Sequence, residues 1–344
     1  MEQSLKGRLQ DVFGLLDESE YTFIQKLKDI VNEYELSNLP IKEAKPISEI
    51  ILESIKTLED PKNVSNNIES GFKGIDNSIG GFTPGELVVI GGRPGMGKTQ
   101  LMVNLALNIS LAHPVIYFSF DLTEFLLTYR FISCLTSIPT SVILQGKISE
   151  EEMQRIAAVQ NKILAHQILI HDAQNSSIAL FKAHCIKYIK EYGVKVIMID
   201  YIQMLSSDKY KKYREAEIAD ILRELKRIAK ENNVCIIASS LLSRAVETRG
   251  GDKKPMLSDL RESGAIEQDA DKVIFIYRPE YYCLTTDENG RSTTNQVELI
   301  VAKNKNGPLA NINLLKNSCF SSLIDDNSSN ESFDFSQERV NEIS

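Results

Sequence analysis

Leu87-Val88-Val89-Ile90-Gly91-Gly92-Arg93-Pro94-Gly95-Met96-Gly97-Lys98-Thr99 is the stretch on which the fold turns. Its first four residues are apolar without a break, which reads as a strand buried on both faces. A glycine-rich loop follows, and a helical pattern runs from 99 to 111. Strand, glycine loop and helix in that order turn backbone N–H groups towards a phosphate, and the helix start adds the positive end of its dipole. Lys98 is placed to reach the β and γ phosphates of a nucleotide, and Thr99 to ligate magnesium. Gly92, Arg93, Pro94, Gly95, Met96, Gly97, Lys98, Thr99 and Gln100 are therefore expected to bind Mg-ATP.

Working outward, short β-rich apolar runs recur at 86–90, 115–120, 168–170, 196–199, 234–238, 273–277, 297–301 and 312–315. Helical patterns lie between many of them, notably at 99–111, 150–163, 178–190 and 216–232. Near-continuous apolar strands alternating with helices predict an α/β domain with a mostly parallel central sheet flanked by helices. One strand, Lys195-Val196-Ile197-Met198-Ile199-Asp200, ends in an acid about a hundred residues after the glycine loop. That is the form of a carboxylate that completes a magnesium site with Thr99.

Upstream of residue 71 the pattern is different. Val12, Leu15, Leu16, Phe23, Ile24, Leu27, Ile30, Val31 and Tyr34 recur at helical spacing, and Pro40 and Pro46 then interrupt the chain. A short amphipathic helix with Ile47, Ile50, Ile51, Ile55 and Leu58 on one stripe ends at Asp60-Pro61, before a polar hinge at 62–67. A helix isolated between two breakers buries its stripe only against something else, its own domain or a neighbouring subunit. From about Ser321 the chain is polar and reads as a mobile tail. The expected plan is a helical extension over 1–45, a linker helix and hinge over 46–67, an ATPase domain over 68–320 and a disordered tail over 321–344.

Composition narrows the class. The 344 residues are 42% hydrophobic, enough for a full core, and the net charge of −8 argues against an all-over basic surface. It leaves open a ring or cleft that gathers positive charge in one place. The five cysteines are scattered and form no CxxC pair, as expected of reduced thiols rather than a zinc site. No apolar run reaches the ~20 residues of a membrane span, and no signal-peptide block opens the chain. A cytoplasmic protein without membrane contact is expected.

Several stretches together make the sequence similar to the C-terminal ATPase domain of DnaB-type replicative DNA helicases. They are Gly71-Phe72 with Asp76, the loop 92–99, Phe118-Ser119-Phe120-Asp121-Leu122, Ile199-Asp200-Tyr201-Ile202-Gln203, Asp259-Leu260-Arg261-Glu262-Ser263-Gly264 with Ile266-Glu267-Gln268-Asp269-Ala270-Asp271, and Lys303-Asn304-Lys305-Asn306-Gly307-Pro308. They cover about residues 46–320 in order. The resemblance implies a RecA-like P-loop ATPase that assembles as a hexameric ring, with active sites between subunits and single-stranded DNA in the pore. It implies that the helix at 47–58 is a linker docking on the adjacent subunit. Asp121 then positions the attacking water, and Lys303 and Lys305 reach a neighbour's phosphate. The loop of Arg261, Glu262 and Gly264 grips DNA through its backbone, without reading sequence. The basic stretch Lys209-Tyr210-Lys211-Lys212-Tyr213-Arg214 reads either as a second pore loop or as a solvated charged loop. Some forty-five residues precede the linker helix, too few for the family's N-terminal collar, so primase or loader binding by that route is not expected.

Three positions depart from the family pattern around one γ-phosphate. Asp121 stands where the family has glutamate, shortening the reach of the base by one methylene. Lys305 stands where the family has an arginine finger, keeping the charge without the planar fork. Leu241 stands where the family has a glutamine and cannot hydrogen-bond a phosphate. A DnaB-type helicase or translocase with weakened hydrolysis is one expectation. The other is a nucleotide-gated DNA-binding or helicase-regulating oligomer with little unwinding. A recombinase-like ATPase is a third reading, disfavoured by the stretch 259–271.

Overall fold

The computed structural model describes residues 23–30, 44–59, 67–173, 176–207, 209–210, 213–260, 263–286, 290 and 292–326. The chain divides into two compact units, 1–64 and 65–344. In the smaller unit, residues 23–30 are helical, and α1 spans Ile47–Glu59. Ile47, Ile50, Ile51, Leu52 and Ile55 of α1 are exposed. The other helical positions read upstream of 44, and the side chain of Leu58, lie outside what is described.

The larger unit is built on a nine-stranded sheet in the order β3-β2-β4-β5-β1-β6-β7-β8-β9. The strands are β1 (Leu87–Gly92), β2 (Val115–Ser119), β3 (Ile168–Asp172), β4 (Val196–Asp200), β5 (Cys235–Leu241), β6 (Lys272–Tyr277), β7 (Gln296–Asn304), β8 (Ala310–Lys316) and β9 (Leu323–Asp325). The six strands from β3 to β6 are parallel, and β7, β8 and β9 continue antiparallel. Alternation along each strand divides the core into two layers. Val88 and Ile90 join one hydrophobic cluster with the helix after the glycine loop, while Leu87 and Val89 join the other.

Helices cover both faces: α2 (Lys73–Ile79), α3 (Lys98–Ser110), α4 (Glu124–Thr136), α5 (Thr140–Gln145), α6 (Glu150–Ile163), α7 (Ile178–Tyr192), α8 (Arg214–Asn232) and α9 (Ser263–Asp269). Local chemistry sets their ends. Ser149 and Glu152 form a capping box at α6, Ser177 caps α7, and Gly193 ends α7 in the left-handed region. In α8, Ile218, Ile221, Leu222, Leu225, Ile228 and Ala229 repeat at helical spacing and are all buried.

One boundary is corrected. The tail read from Ser321 does not start there, because Ser321 and Ser322 are buried and Leu323–Asp325 is a strand paired with β8, while residues from 327 on lie outside those described. Only three residues long and flanked by serines and aspartates, β9 carries no periodic signal. Asp325 accepts backbone N–H groups of Lys73 and Gly74 at 2.8 Å each, so the strand also caps α2.

Candidate nucleotide-binding site

In a parallel sheet all C-terminal strand ends lie at one edge, and the loops there face one crevice. Gly92 pairs with Leu241 at that edge, and Ser119 pairs with Asp200. The glycine loop, the acid ending β4 and the segment after β2 are thereby brought together. Gly95 and Gly97 adopt positive φ of 79° and 101°. At Gly97 a Cβ would lie 2.2 Å from the Phe320 ring, so neither the backbone nor the space admits another residue. Gly97→Ala is expected to destabilise the domain by about 1–3 kcal/mol and to abolish nucleotide binding. Thermal unfolding with and without nucleotide checks this, and an unshifted Tm with normal binding would overturn it.

Lys98 is buried, and its ammonium donates to the carbonyls of Gly92 at 2.8 Å and Arg93 at 3.3 Å. Burial pushes its pKa down to about 8, against the pull of Asp200 and Asp121 and with the push of Arg93. An anion brought against the amine offsets that desolvation. Asp200, also buried, accepts hydroxyls from Thr99 at 2.7 Å, Tyr117 at 3.1 Å and Ser239. Burial first, and Asp200 second, hold the Tyr117 phenol well above its ordinary value, so it stays a donor.

The residues present fit a divalent cation. Neighbouring ligands of an octahedral magnesium lie about 3 Å apart, and the Thr99 hydroxyl and Asp200 carboxylate already meet at 2.7 Å. Asp121 is exposed two residues beyond β2 and bears electrostatically on Lys98. Leu241 is half-buried beside Gly92 and presents an apolar side chain there.

Other expected ligands are engaged elsewhere. The Arg93 guanidinium turns away from the loop to Glu247 at 2.8 and 2.9 Å and to the carbonyl of Leu242 at 2.9 Å. The Met96 side chain enters the core, and the Gln100 amide donates to the carbonyl of Ser321. For Arg93, Met96 and Gln100, the nucleotide is left the backbone and the cleft rather than the side chain tip. Arg261, Glu262, Lys211 and Lys212 lie outside the described residues, and Gly264 is exposed in the first turn of α9.

Lys303 and Lys305 stand at the opposite edge of the sheet. The Lys305 N–H donates to the Asp271 carbonyl, and Asp271 N–H to the carbonyl of Leu87, at the start of β1. Five residues of strand, about 17 Å, separate that level from Gly92. Lys303 donates to the last-turn carbonyls of α9, Glu267 and Gln268. Lys305 is 64% exposed and only loosely paired with Asp271, at 3.9 Å. Neither lysine can reach the phosphate loop of its own chain.

Sequence reasoning missed Arg278 and Phe320 as neighbours of the loop. Arg278 follows β6, donates to the carbonyl of Gly95 at 3.1 Å and stacks on Phe320 at 4.2 Å. Phe320 lay inside a segment without periodic pattern, and only the sheet's antiparallel return brings it to the loop. A cavity of about 510 Å³ opens beside α3, lined by Gln100, Arg130, Thr140, Cys319 and Phe320 among others.

A parallel sheet with a glycine loop, a buried lysine and a hydroxyl–carboxylate pair at its C-terminal edge defines a RecA-like P-loop ATPase fold. The family model described as DnaB-like helicase C terminal domain matches residues 67–324, and the chain belongs to that family. It is 37% identical over 301 residues to the replicative DNA helicase DnaB of Rickettsia typhi, covering 79% of this chain and 60% of that protein. To the replicative DNA helicase DnaC of Bacillus subtilis it is 32% identical over 325 residues, covering 91% and 70%. Among solved structures it resembles the ATPase domain of G40P, with a TM-score of 0.74, 32% identity, and coverage of 82% of this chain and 99% of that one. A DnaB-like replicative helicase solved for its interactions with primase gives a TM-score of 0.71 and 30% identity, over 92% and 74%. The chain thus spans about 60% of the length of the first of these relatives.

Proposed function

We propose that this protein is an ATP-dependent helicase or translocase on single-stranded DNA, acting in DNA replication as a ring, with hydrolysis slowed by Asp121 and Lys305. The separation of Lys98 and Lys305 to opposite edges of one sheet carries the reading, because it calls for a site completed by a second subunit. A head-to-tail interface whose rotation closes makes a ring, and the resemblance to DnaB-type helicases suggests six subunits. Lys98 holds the β and γ phosphates, Thr99 and Asp200 hold magnesium, and the cleft beside α3 receives the base. A magnesium held there would supply charge neutralisation to the phosphates. Asp121 orients water from beyond β2, and Lys305 supplies the neighbour's positive charge. The loop 261–264 grips the strand in the pore. An activity in DNA replication belongs in the cytoplasm, where we place it; no described helix is long and apolar enough to cross a membrane.

Leu241 favours a second reading. An apolar side chain beside Gly92 carries no signal from a γ-phosphate, as suits a nucleotide-gated DNA-binding module without turnover. Steady-state ATP hydrolysis with and without single-stranded DNA, against Lys98→Ala as the blank, separates the two. Stimulation by DNA supports the motor. Turnover at the level of the blank, with ATP still bound, overturns it in favour of the module.

The exposed stripe of α1 gives a further expectation. If it docks on a neighbour, Ile51→Glu with Ile55→Glu should reduce the assembly to protomers at micromolar concentration in sedimentation velocity. Two charges buried against an apolar groove cost several kcal/mol. An unchanged sedimentation coefficient would remove α1 from the assembly contact.

A further inference from the structure

Three hydroxyls from three different elements converge on Asp200. Thr99, in the first turn of α3, donates to Oδ2 at 2.7 Å. Tyr117 of β2 reaches the same oxygen at 3.1 Å, and Ser239 of β5 donates to the other, Oδ1. Strand register explains the convergence. Ile199 pairs with Ala238, so Ser239 stands beside Asp200 at the next step of β5. Ser119 pairs with Asp200, and side chains two apart on β2 share a face, so the long phenol of Tyr117 reaches forward to the carboxylate. Tyr117 and Ser239 are wholly buried, at 0% exposure. The Tyr117 ring is seated edge-on against Phe131 of α4, with centroids 6.3 Å apart and planes at 82°. Among the described residues, Asp200 is the phenol's only hydrogen-bond partner. Thr99 belongs to the metal site itself, whereas Tyr117 and Ser239 add one hydroxyl to each carboxylate oxygen from within the sheet.

We propose that Tyr117 and Ser239 are positioning residues that make the site selective for magnesium over calcium, by pinning the Asp200 carboxylate so that it offers a cation one oxygen rather than two. The inference rests on the reading of Thr99 and Asp200 as the metal-holding pair. The two ions ask different things of a carboxylate. Calcium takes about six to eight oxygens at about 2.3–2.6 Å and often uses both oxygens of one carboxylate. Magnesium takes about six at about 2.0–2.1 Å, keeps several of its waters, and tolerates little departure from an octahedron. A cation beside the Thr99 hydroxyl meets Oδ2 first, since those two atoms already touch. To bring Oδ1 onto the same ion, the carboxylate has to turn about its Cβ–Cγ bond and pull away from Ser239 and Tyr117. The phenol is then left buried without an acceptor, which is costly in an apolar core. A carboxylate limited to one oxygen suits magnesium and leaves calcium short of ligands. A pair of side chains that only packed the core would leave the choice of ion untouched.

The test is the affinity of the full chain for a fluorescent, non-hydrolysable ATP analogue in excess Mg2+, in excess Ca2+ and in EDTA. Wild type, Tyr117→Phe and Ser239→Ala are compared. Each variant removes one oxygen atom and little else, and Ser239→Ala keeps the test open if Tyr117→Phe does not fold. Outer hydrogen bonds on a metal ligand change metal affinity by about ten- to a hundredfold, so wild type should bind the analogue about tenfold more tightly with Mg2+ than with Ca2+. Either variant should narrow that ratio to less than about threefold by gaining affinity in Ca2+, while its affinity in EDTA stays within about twofold of wild type. A folded variant that keeps the wild-type ratio overturns the inference. So does one that weakens binding alike in all three conditions, since the hydroxyl then only shapes the pocket. Wild type that prefers neither ion, yet binds better with both than in EDTA, overturns the selectivity and leaves the metal site standing. Wild type that binds equally well in Mg2+ and EDTA removes Thr99 and Asp200 from metal binding, and the inference falls with them.

Discussion

Lys98→Ala is expected to lower ATP turnover at least about a thousandfold, the range that follows loss of a charge-stabilising group in phosphoryl transfer. The amine is buried, so no water-borne cation replaces it freely. Its loss also leaves the carbonyls of Gly92 and Arg93 without the donor that now closes the loop. A charged hydrogen bond of this sort contributes about 1.5–3 kcal/mol, so nucleotide affinity should fall about ten- to a hundredfold as well. Fluorescent-nucleotide titration and single-turnover hydrolysis separate the two effects. A variant that hydrolyses at more than about a tenth of the wild-type rate would remove Lys98 from the phosphate site.

The second large effect concerns Lys305. Lys305→Ala should lower turnover about 10³-fold or more if the lysine serves as the finger. The diagnostic result is complementation. Lys98→Ala and Lys305→Ala chains, mixed in equal amounts before assembly, should regain about one quarter of wild-type turnover. Half the sites then carry an intact Lys98, and half of those face an intact Lys305. An activity that acts within one chain gives no recovery, because every chain in the mixture is broken. Recovery near one quarter assigns the site to two subunits, and its absence sinks the shared site and the ring read from it.

Much of this site was legible in the residue order. Strand, glycine loop and helix are contiguous, so Lys98 and Thr99 followed from local pattern alone, and Asp200 needed only one apolar strand ending in an acid. In the structure the Thr99 hydroxyl donates to the Asp200 carboxylate at 2.7 Å. Eight of the nine strands also announced themselves, since apolar runs of this length are buried on both faces. What stayed hidden depends on contacts between distant segments. Tyr117 sat inside an apolar run and Ser239 just past the end of another, and only pairing sets both on Asp200. Arg93 looked like a phosphate ligand, because a positive charge inside a glycine loop gives no sign of an acid 154 residues away. Strand β9 and Phe320 fell in a polar stretch whose burial is decided wholly by what they meet.

The return of that last segment also fixes an order of events during synthesis. The Ser321 carbonyl takes hydrogen bonds from Gln100 and Asn104, partners 221 and 217 positions upstream. Leu323 then donates to Asn104 at 3.0 Å. The helix that opens with the phosphate loop is therefore made early and braced late. At ribosomal speeds of roughly 5–20 residues per second, its brace arrives some 10–45 s after it. Contacts of such long sequence separation form slowly. Nascent chains that have passed residue 110 but not 325 hold the nucleotide motif without its support, and competence to bind nucleotide becomes one of the last things this domain acquires.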